Sequence, residues 1–293
     1  MVTSKYPSVV TMPAAQRPYP SIVEFLFKAF PNISRDRWAQ RILEGKVIDD
    51  SGAPITVDTE YSPSKRIFYF RETENEPVIP FTEQILFRND EILIACKPHF
   101  LPVTPGGRYV EECLLNRLRS HTGINDLVPM HRIDRETAGL VLFSVNKNTR
   151  GLYHELFTQG KVEKTYHALA EVNQSPHETR WIVENRIVRG EPRFKMKIAP
   201  GVANARSHIQ LLEIKGDRGL FSLSPVTGKT HQLRLHLSGL GFKIIHDRVY
   251  PDLQPETEDD FSRPLQLLAK QMRFHDPISG EDRDFQSERG LLW

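Results

Sequence analysis

The chain has 293 residues, 39% hydrophobic and 26% charged, with 39 basic and 37 acidic side chains for a net charge of +2. That balance excludes a sequence-blind coater of DNA, and any nucleic-acid surface must be local. No apolar stretch approaches the roughly 18 residues of a membrane span, and the N-terminal MVTSKYPSVVTMPAAQRPYPS lacks the continuous apolar core of a signal peptide. Cys96 and Cys113 show no metal-ligand or Cys-x-x-Cys spacing, so they read as buried thiols in a reducing cytoplasm.

Residues 1–19 read as an extended N-terminal arm. Residues 20–71 read as a small separate unit. Ile22, Val23, Leu26 and Phe30 recur at helical spacing. Ser34 caps a second expected helix carrying Trp38, Ile42 and Leu43 and stopping at Gly45, with Arg35, Arg37, Arg41 and Lys46 along it. Val47-Ile48 and Ile67-Phe68-Tyr69-Phe70 read as short strands. Glu72-Thr73-Glu74-Asn75-Glu76-Pro77 is polar and ends in proline, so residues 72–80 are expected to be a linker ahead of a domain over 81–293.

In that domain, Ile85–Phe87 and Ile92–Ala95 are expected to pair as strands around Asn89-Asp90. Helices are predicted over Val110–His121 and over Leu152–Gln159, the second closed by Gly160. Strands are expected at Thr165–Glu171, Ser207–Ile214 and Leu220–Pro225. Arg193, Lys195 and Lys197 alternate with Phe194, Met196 and Ile198, the period of a strand with one basic face. The helix holding Leu233, Leu237 and Leu240 is expected to be capped by Thr230, with Arg234 beside its buried stripe. Asp252, Glu256, Glu258, Asp259 and Asp260 read as a solvated connection. Strands and helices mix without strict alternation, which points to an α+β fold.

The chemistry concentrates in His131-Arg132-Ile133-Asp134-Arg135-Glu136-Thr137-Ala138-Gly139-Leu140, followed by Val141-Leu142-Phe143. One carboxylate stands between two arginines, which favour its ionised form. A bare carboxylate serves as nucleophile or base, and guanidinium groups suit phosphate. The same pattern also describes a surface ion-pair cluster capping a strand.

This stretch resembles the His-Arg-Leu-Asp-(Lys/Arg)-x-Thr-Ser-Gly-Leu signature of the RluA-type pseudouridine synthases, with Ile133 for Leu and Ala138 for Ser. Three further blocks follow the family's order: Asp90–Pro98, Glu163-Lys164-Thr165-Tyr166-His167-Ala168, and Thr227-Gly228-Lys229-Thr230-His231-Gln232-Leu233-Arg234-Leu235-His236. The resemblance covers residues 80 to 280. It implies a mixed, largely antiparallel sheet with flanking helices, and an isomerase that converts specific uridines of ribosomal or transfer RNA to pseudouridine. No cofactor, nucleotide or metal enters that reaction.

The resemblance makes Asp134 the catalytic aspartate, Tyr166 the active-site tyrosine, Arg234 the partner of the carboxylate and Arg132 the residue that helps displace the target nucleotide. Arg135, His131, Lys164, His231 and Gln232 are expected to contact substrate RNA, while Lys97 shapes the fold. Two departures stand out: Ile245-His246-Asp247 where the family has Val-Gly-Asp, and Leu267-Leu268-Ala269 where it has Leu-His-Ala. Residues 20–71 resemble, degenerately, the small RNA-binding module of ribosomal small-subunit proteins that many members carry. The expected protein is a cytoplasmic monomer. The alternative is an RNA-binding protein on the same scaffold that no longer catalyses.

Overall fold

The computed structural model describes residues 1–14, 19–173 and 176–293. Contacts divide the chain into two units: Met1–Pro77 with Gly106–Glu111, and Val78–Pro105 with Glu112–Trp293.

In the first unit, β1 (Val2–Thr3) and β2 (Ser8–Thr11) precede α1 (Ile22–Ala29) and α2 (Arg35–Leu43). Both helices start on serine caps, Ser21 accepting from the Glu24 N–H and Ser34 from the Arg37 N–H, which satisfies otherwise orphaned donors. Short strands β3 (Val47–Ile48), β4 (Arg66–Tyr69) and β5 (Glu72–Thr73) follow. The helices bury Leu26 and Trp38 against Val47 and Ile67.

Two stretches depart from expectation here. Within the expected arm, β2 pairs along β4 and Met12 enters the core, because Ser8–Thr11 alternates exposed valine with half-buried serine and valine against an open sheet edge. Within the expected linker, β5 pairs with β1, and the Glu72 side chain is buried beneath Arg37 (2.9 Å), Arg41 (2.9 Å) and Lys46 (2.5 Å). Burial pushes the Glu72 carboxyl up, but the bonds and charges of Lys46 and Arg41 outweigh it and hold it below the usual carboxylate range. Arg35 pairs with Glu24 at 2.5 Å. The basic residues of α2 and Lys46 just beyond it are thus engaged within the unit.

The second unit is α+β. Its strands are β6 (Gln84–Arg88), β7 (Ile92–Lys97), β8 (Val128–Pro129), β9 (Ala138–Ser144), β10 (Glu163–Glu171), β11 (Arg180–Arg189), β12 (Met196–Ala199), β13 (Ala205–Lys215), β14 (Arg218–Pro225), β15 (Leu267–His275) and β16 (Asp282–Gln286). Among the described residues they form one sheet of order β12-β11-β13-β14-β10-β15-β9-β7-β6, with β16 beside β15 and β8 beside β9. Every pair is antiparallel except β15 with β9. Strands β7 and β9 are buried on both faces, as continuous apolar runs in a central position must be. The helices are α3 (Leu114–Thr122), α4 (Arg150–Thr158) and α5 (Gln232–Gly239).

Three expected elements shift. Helix α3 starts at Leu114 rather than Val110, since Gly106–Glu111 belongs to the first unit. The Arg193–Ile198 strand shortens to β12, because the Lys195 N–H bonds to the Pro192 carbonyl (2.8 Å) and turns Arg193 and Phe194 into a hairpin tip. Thr230 does not cap α5: the cap position is His231, in a left-handed conformation (φ 55°), without a side-chain cap bond.

Candidate active site

Three strands set the geometry. Tyr166 on β10 stands opposite Ala269 on β15, and Ala269 stands opposite Gly139 at the start of β9. The loop from β8 to β9 carries Asp134, so the register brings Tyr166 and Asp134 to the same end of the sheet. Gly139 is obligatory: its φ is +112°, and an added Cβ would lie 2.2 Å from the Ala269 carbonyl oxygen. Beneath the loop, fully buried Lys97 donates to the carbonyls of Pro98 (2.9 Å), Leu101 (2.6 Å) and Arg135 (2.9 Å). Burial pulls its pKa down to about 7.

Arg234 arrives from the first turn of α5 and is 3% exposed. Its Nε and Nη2 donate to both oxygens of buried Asp247 at 2.8 and 2.6 Å. Its remaining Nη1 lies 3.5 Å from Asp134 Oδ2. Burial opposes the Arg234 charge, but Asp247, then Asp134 and Glu136, outweigh it and raise its pKa. Asp247 Oδ1 also accepts the backbone N–H groups of Val249 (2.8 Å) and Tyr250 (3.1 Å), so it is locked before it meets the guanidinium. The His231 Nε2 stands 3.8 Å from the same Asp134 Oδ2. Among the described residues, Asp134 Oδ1 accepts no hydrogen bond.

Asp134 opens onto a cleft of about 650 Å³ lined by Arg132, Lys164, Tyr166, Lys229, His231 and Arg234, among others. That volume suits a small-molecule-sized group. Burial, and then the Asp134 charge, push the Tyr166 hydroxyl pKa up, so it stays protonated as a hydrogen-bond donor. Arg132 is exposed at the rim. Burial also lowers the Lys164 pKa, and the ammonium sits 5.8 Å over the Phe157 ring.

Of the residues expected to contact RNA, Arg132, Lys164, His131 and His231 line the cleft, but His131 is committed elsewhere. Its Nε2 accepts the Leu142 N–H (3.1 Å), and its ring stacks on Phe157 at 4.9 Å. Burial and Lys164 lower its pKa to about 3, so it is a neutral strut. Gln232, although at the cleft, has its polar atoms occupied: Oε1 accepts from Thr227 (2.7 Å) and the Lys229 N–H (3.0 Å), and Nε2 donates to the Arg206 carbonyl (2.9 Å) and Ser207 (2.8 Å). These bonds shape the loop before α5.

Arg135 lies outside the cleft. It makes a two-pronged pair with Asp259 at 2.8 and 2.9 Å, which also draws Asp259 out of the expected solvated acidic loop. Nearby, Phe261 packs edge-on to Phe81 and Phe100 at 5.7 and 5.2 Å.

Sequence reasoning missed Asp247 and Tyr250. The signal was the Ile245-His246-Asp247 departure, because His246 holds φ 63° where the related pattern has glycine, and the turn it makes aims Asp247 at Arg234.

The cleft therefore gathers a single open carboxylate, tethered by a buried guanidinium beside a protonated tyrosine and bordered by cations, a class of site that can serve one-carboxylate chemistry on an anionic substrate. Comparison with known proteins narrows that class. The family model for RNA pseudouridylate synthase matches residues 91–239. An uncharacterized RNA pseudouridine synthase of Helicobacter pylori is 32% identical over 216 residues, 72% of this chain and 70% of that protein. RNA pseudouridine synthase 7 of Arabidopsis thaliana is 27% identical over 78% of this chain, which spans 60% of the plant protein. The fold matches human RNA pseudouridylate synthase domain containing 1 with a TM-score of 0.59 at 23% identity, over 73% of this chain and 86% of that one. The human domain-containing 4 protein gives 0.55 at 26% identity, over 71% and 88%. The chain belongs to the RNA pseudouridine synthase family, isomerases that convert uridine to pseudouridine in RNA. Among the described residues, no helix is long and apolar enough to cross a membrane.

Proposed function

We propose that this protein isomerises selected uridines of ribosomal or transfer RNA, in the cytoplasm and as a monomer, with Asp134 as the reacting group. The observation that carries the reading is the Asp134 carboxylate, 23% exposed in the cleft and 3.5 Å from the buried Arg234 guanidinium. The reaction breaks the N1–C1′ bond, forms C5–C1′, releases the C5 hydrogen to solvent and leaves a proton on N1. Atoms balance without water, phosphate donor or redox partner, so the proposal needs no cofactor.

Each side chain then has a role. Asp134 Oδ1 stabilises or traps the electron-poor C1′ centre, or removes the C2′ proton. Arg234 orients the carboxylate, and its own charge is balanced by Asp247. The Tyr166 ring packs on the uracil while its hydroxyl donates to it. Arg132 fills the space of the displaced nucleotide, since base chemistry in folded RNA requires the target to leave its stack. Lys164 and Lys229 pair with phosphates, and their contribution weakens with salt. The small N-terminal unit adds RNA contact only through side chains other than Arg37, Arg41 and Lys46, which Glu72 holds.

Product analysis tests the reading. RNA from cells lacking the protein is incubated with it, digested to nucleosides and separated. Pseudouridine supports the proposal; unchanged RNA would indicate a binding protein, and free uracil a nucleosidase.

A further inference from the structure

The Tyr250 hydroxyl sits at a three-way junction. It accepts the Met196 N–H at 2.8 Å, is placed to donate to the Met196 carbonyl at 3.1 Å, and lies 2.9 Å from His231 Nδ1. Its ring packs edge-on to the His231 ring at 5.5 Å and carries the Arg234 guanidinium 5.4 Å over its face. The residue is 2% exposed, and Asp247 fixes its backbone N–H. Tyr250 therefore touches both donors that face Asp134 Oδ2, while lining none of the cleft itself.

A phenol has one proton to give. Given to His231 Nδ1, it leaves the imidazole proton on Nε2, pointing at an anionic oxygen 3.8 Å away. Given to the Met196 carbonyl, it would turn the Nε2 lone pair toward that same oxygen, which is repulsive. The shorter distance and the Asp134 charge favour the first arrangement, and burial keeps the imidazole neutral by lowering its pKa. Its left-handed backbone at φ 55° aims the ring across the start of α5 toward Asp134.

We propose that Tyr250 is a positioning residue for the isomerisation: its hydroxyl fixes His231 as the Nε2–H tautomer and its ring seats Arg234, so that N–H groups of both face Asp134 Oδ2, at 3.8 and 3.5 Å, and Oδ1 is left for the ribose. The proposal rests on Asp134 being the reacting carboxylate.

The test uses the full chain labelled with ¹⁵N-histidine, and total RNA labelled with [5-³H]uridine from cells lacking the protein. Wild type is expected to show a neutral Nε2–H signature for His231 and to release tritium. Tyr250→Phe keeps the ring, so the half-saturating RNA concentration should hold while the saturating single-turnover rate falls about tenfold, the scale of one oriented hydrogen bond. Its His231 signature should move toward the Nδ1–H form. A wild-type Nδ1–H signature overturns the proposal, as does Tyr250→Phe at full rate or slowed with an unmoved His231 signature. Should Tyr250→Phe fail to fold, His231→Gln, which still presents an N–H, is expected to outpace His231→Leu, and equal rates overturn the proposal. Tritium release by Asp134→Asn would instead break the underlying reading, independently of the His231 signature.

Discussion

Two carboxylates share the Arg234 guanidinium, and their settings assign them different work. Asp247 makes the two-pronged pair at 2.8 and 2.6 Å with a side chain 1% exposed. Asp134 approaches only to 3.5 Å and is 23% exposed. Asp247→Asn is nearly isosteric, but it strips the charge from a buried pair and turns an NH2 group toward a donor. Breaking such a pair costs about 3–5 kcal/mol. At roughly 2–4 °C per kcal/mol for a domain of this size, the thermal midpoint should fall by about 6–20 °C. Asp134 offers Arg234 a second partner, which places the expectation at the lower end. Asp134→Asn loses only a long, partly solvated contact, worth about 1 kcal/mol or less, so its midpoint should move by at most about 4 °C. Differential scanning calorimetry on both variants reads this directly. An Asp247→Asn midpoint at the wild-type value, or Asp134→Asn melting as low as Asp247→Asn, would refute the division of roles.

Gly139→Ala should cost more than about 4 kcal/mol and yield insoluble protein, because its Cβ meets the Ala269 backbone, while Gly151→Ala in α4, with open space around it, should stabilise by roughly 0.5–1 kcal/mol; soluble, stable Gly139→Ala would contradict the register of β9 on β15. Glu72→Gln leaves three cations around a neutral amide and should destabilise the first unit by about 3 kcal/mol, read as faster proteolysis within residues 1–77; unchanged cleavage would show that the cluster is not structural. Burial lowers the pKa of His131 to about 3 and those of His99 and His236 to about 4, so they stay neutral when folded and take up protons on unfolding below about pH 6.5. Their stability contribution is therefore full above that pH and lost as pH falls, at about 1.4 kcal/mol per pH unit for each histidine; denaturant midpoints that stay flat from pH 7.5 to 5 would contradict it.

The parts of the fold that could be read from sequence are those in which local chemistry and burial agree. Ser34 announces α2, the Ile92–Ala95 and Val141–Phe143 runs announce central strands, and the blocks around Asp134, Tyr166 and Arg234 meet in one cleft as the family resemblance implies. Pairings between residues far apart in sequence were not readable. Arg135 beside Asp134 looks like a substrate cation until Asp259 claims it across 124 positions. Arg37, Arg41 and Lys46 look like an RNA-facing stripe until Glu72 gathers them. Asp247 lies only 13 positions from Arg234, yet its role depends on a left-handed turn at His246 that spacing does not announce.

The central claim is that the Asp134 carboxylate carries RNA uridine isomerisation. Pseudouridine-specific chemical mapping of RNA tests it most directly, in cells lacking the protein and supplied with either wild type or Asp134→Asn. Wild type should restore pseudouridine at one or a few discrete sites. Asp134→Asn, folded with a thermal midpoint within about 4 °C of wild type, should restore none. Restoration of the same sites by Asp134→Asn, or of no site by wild type, would contradict the account.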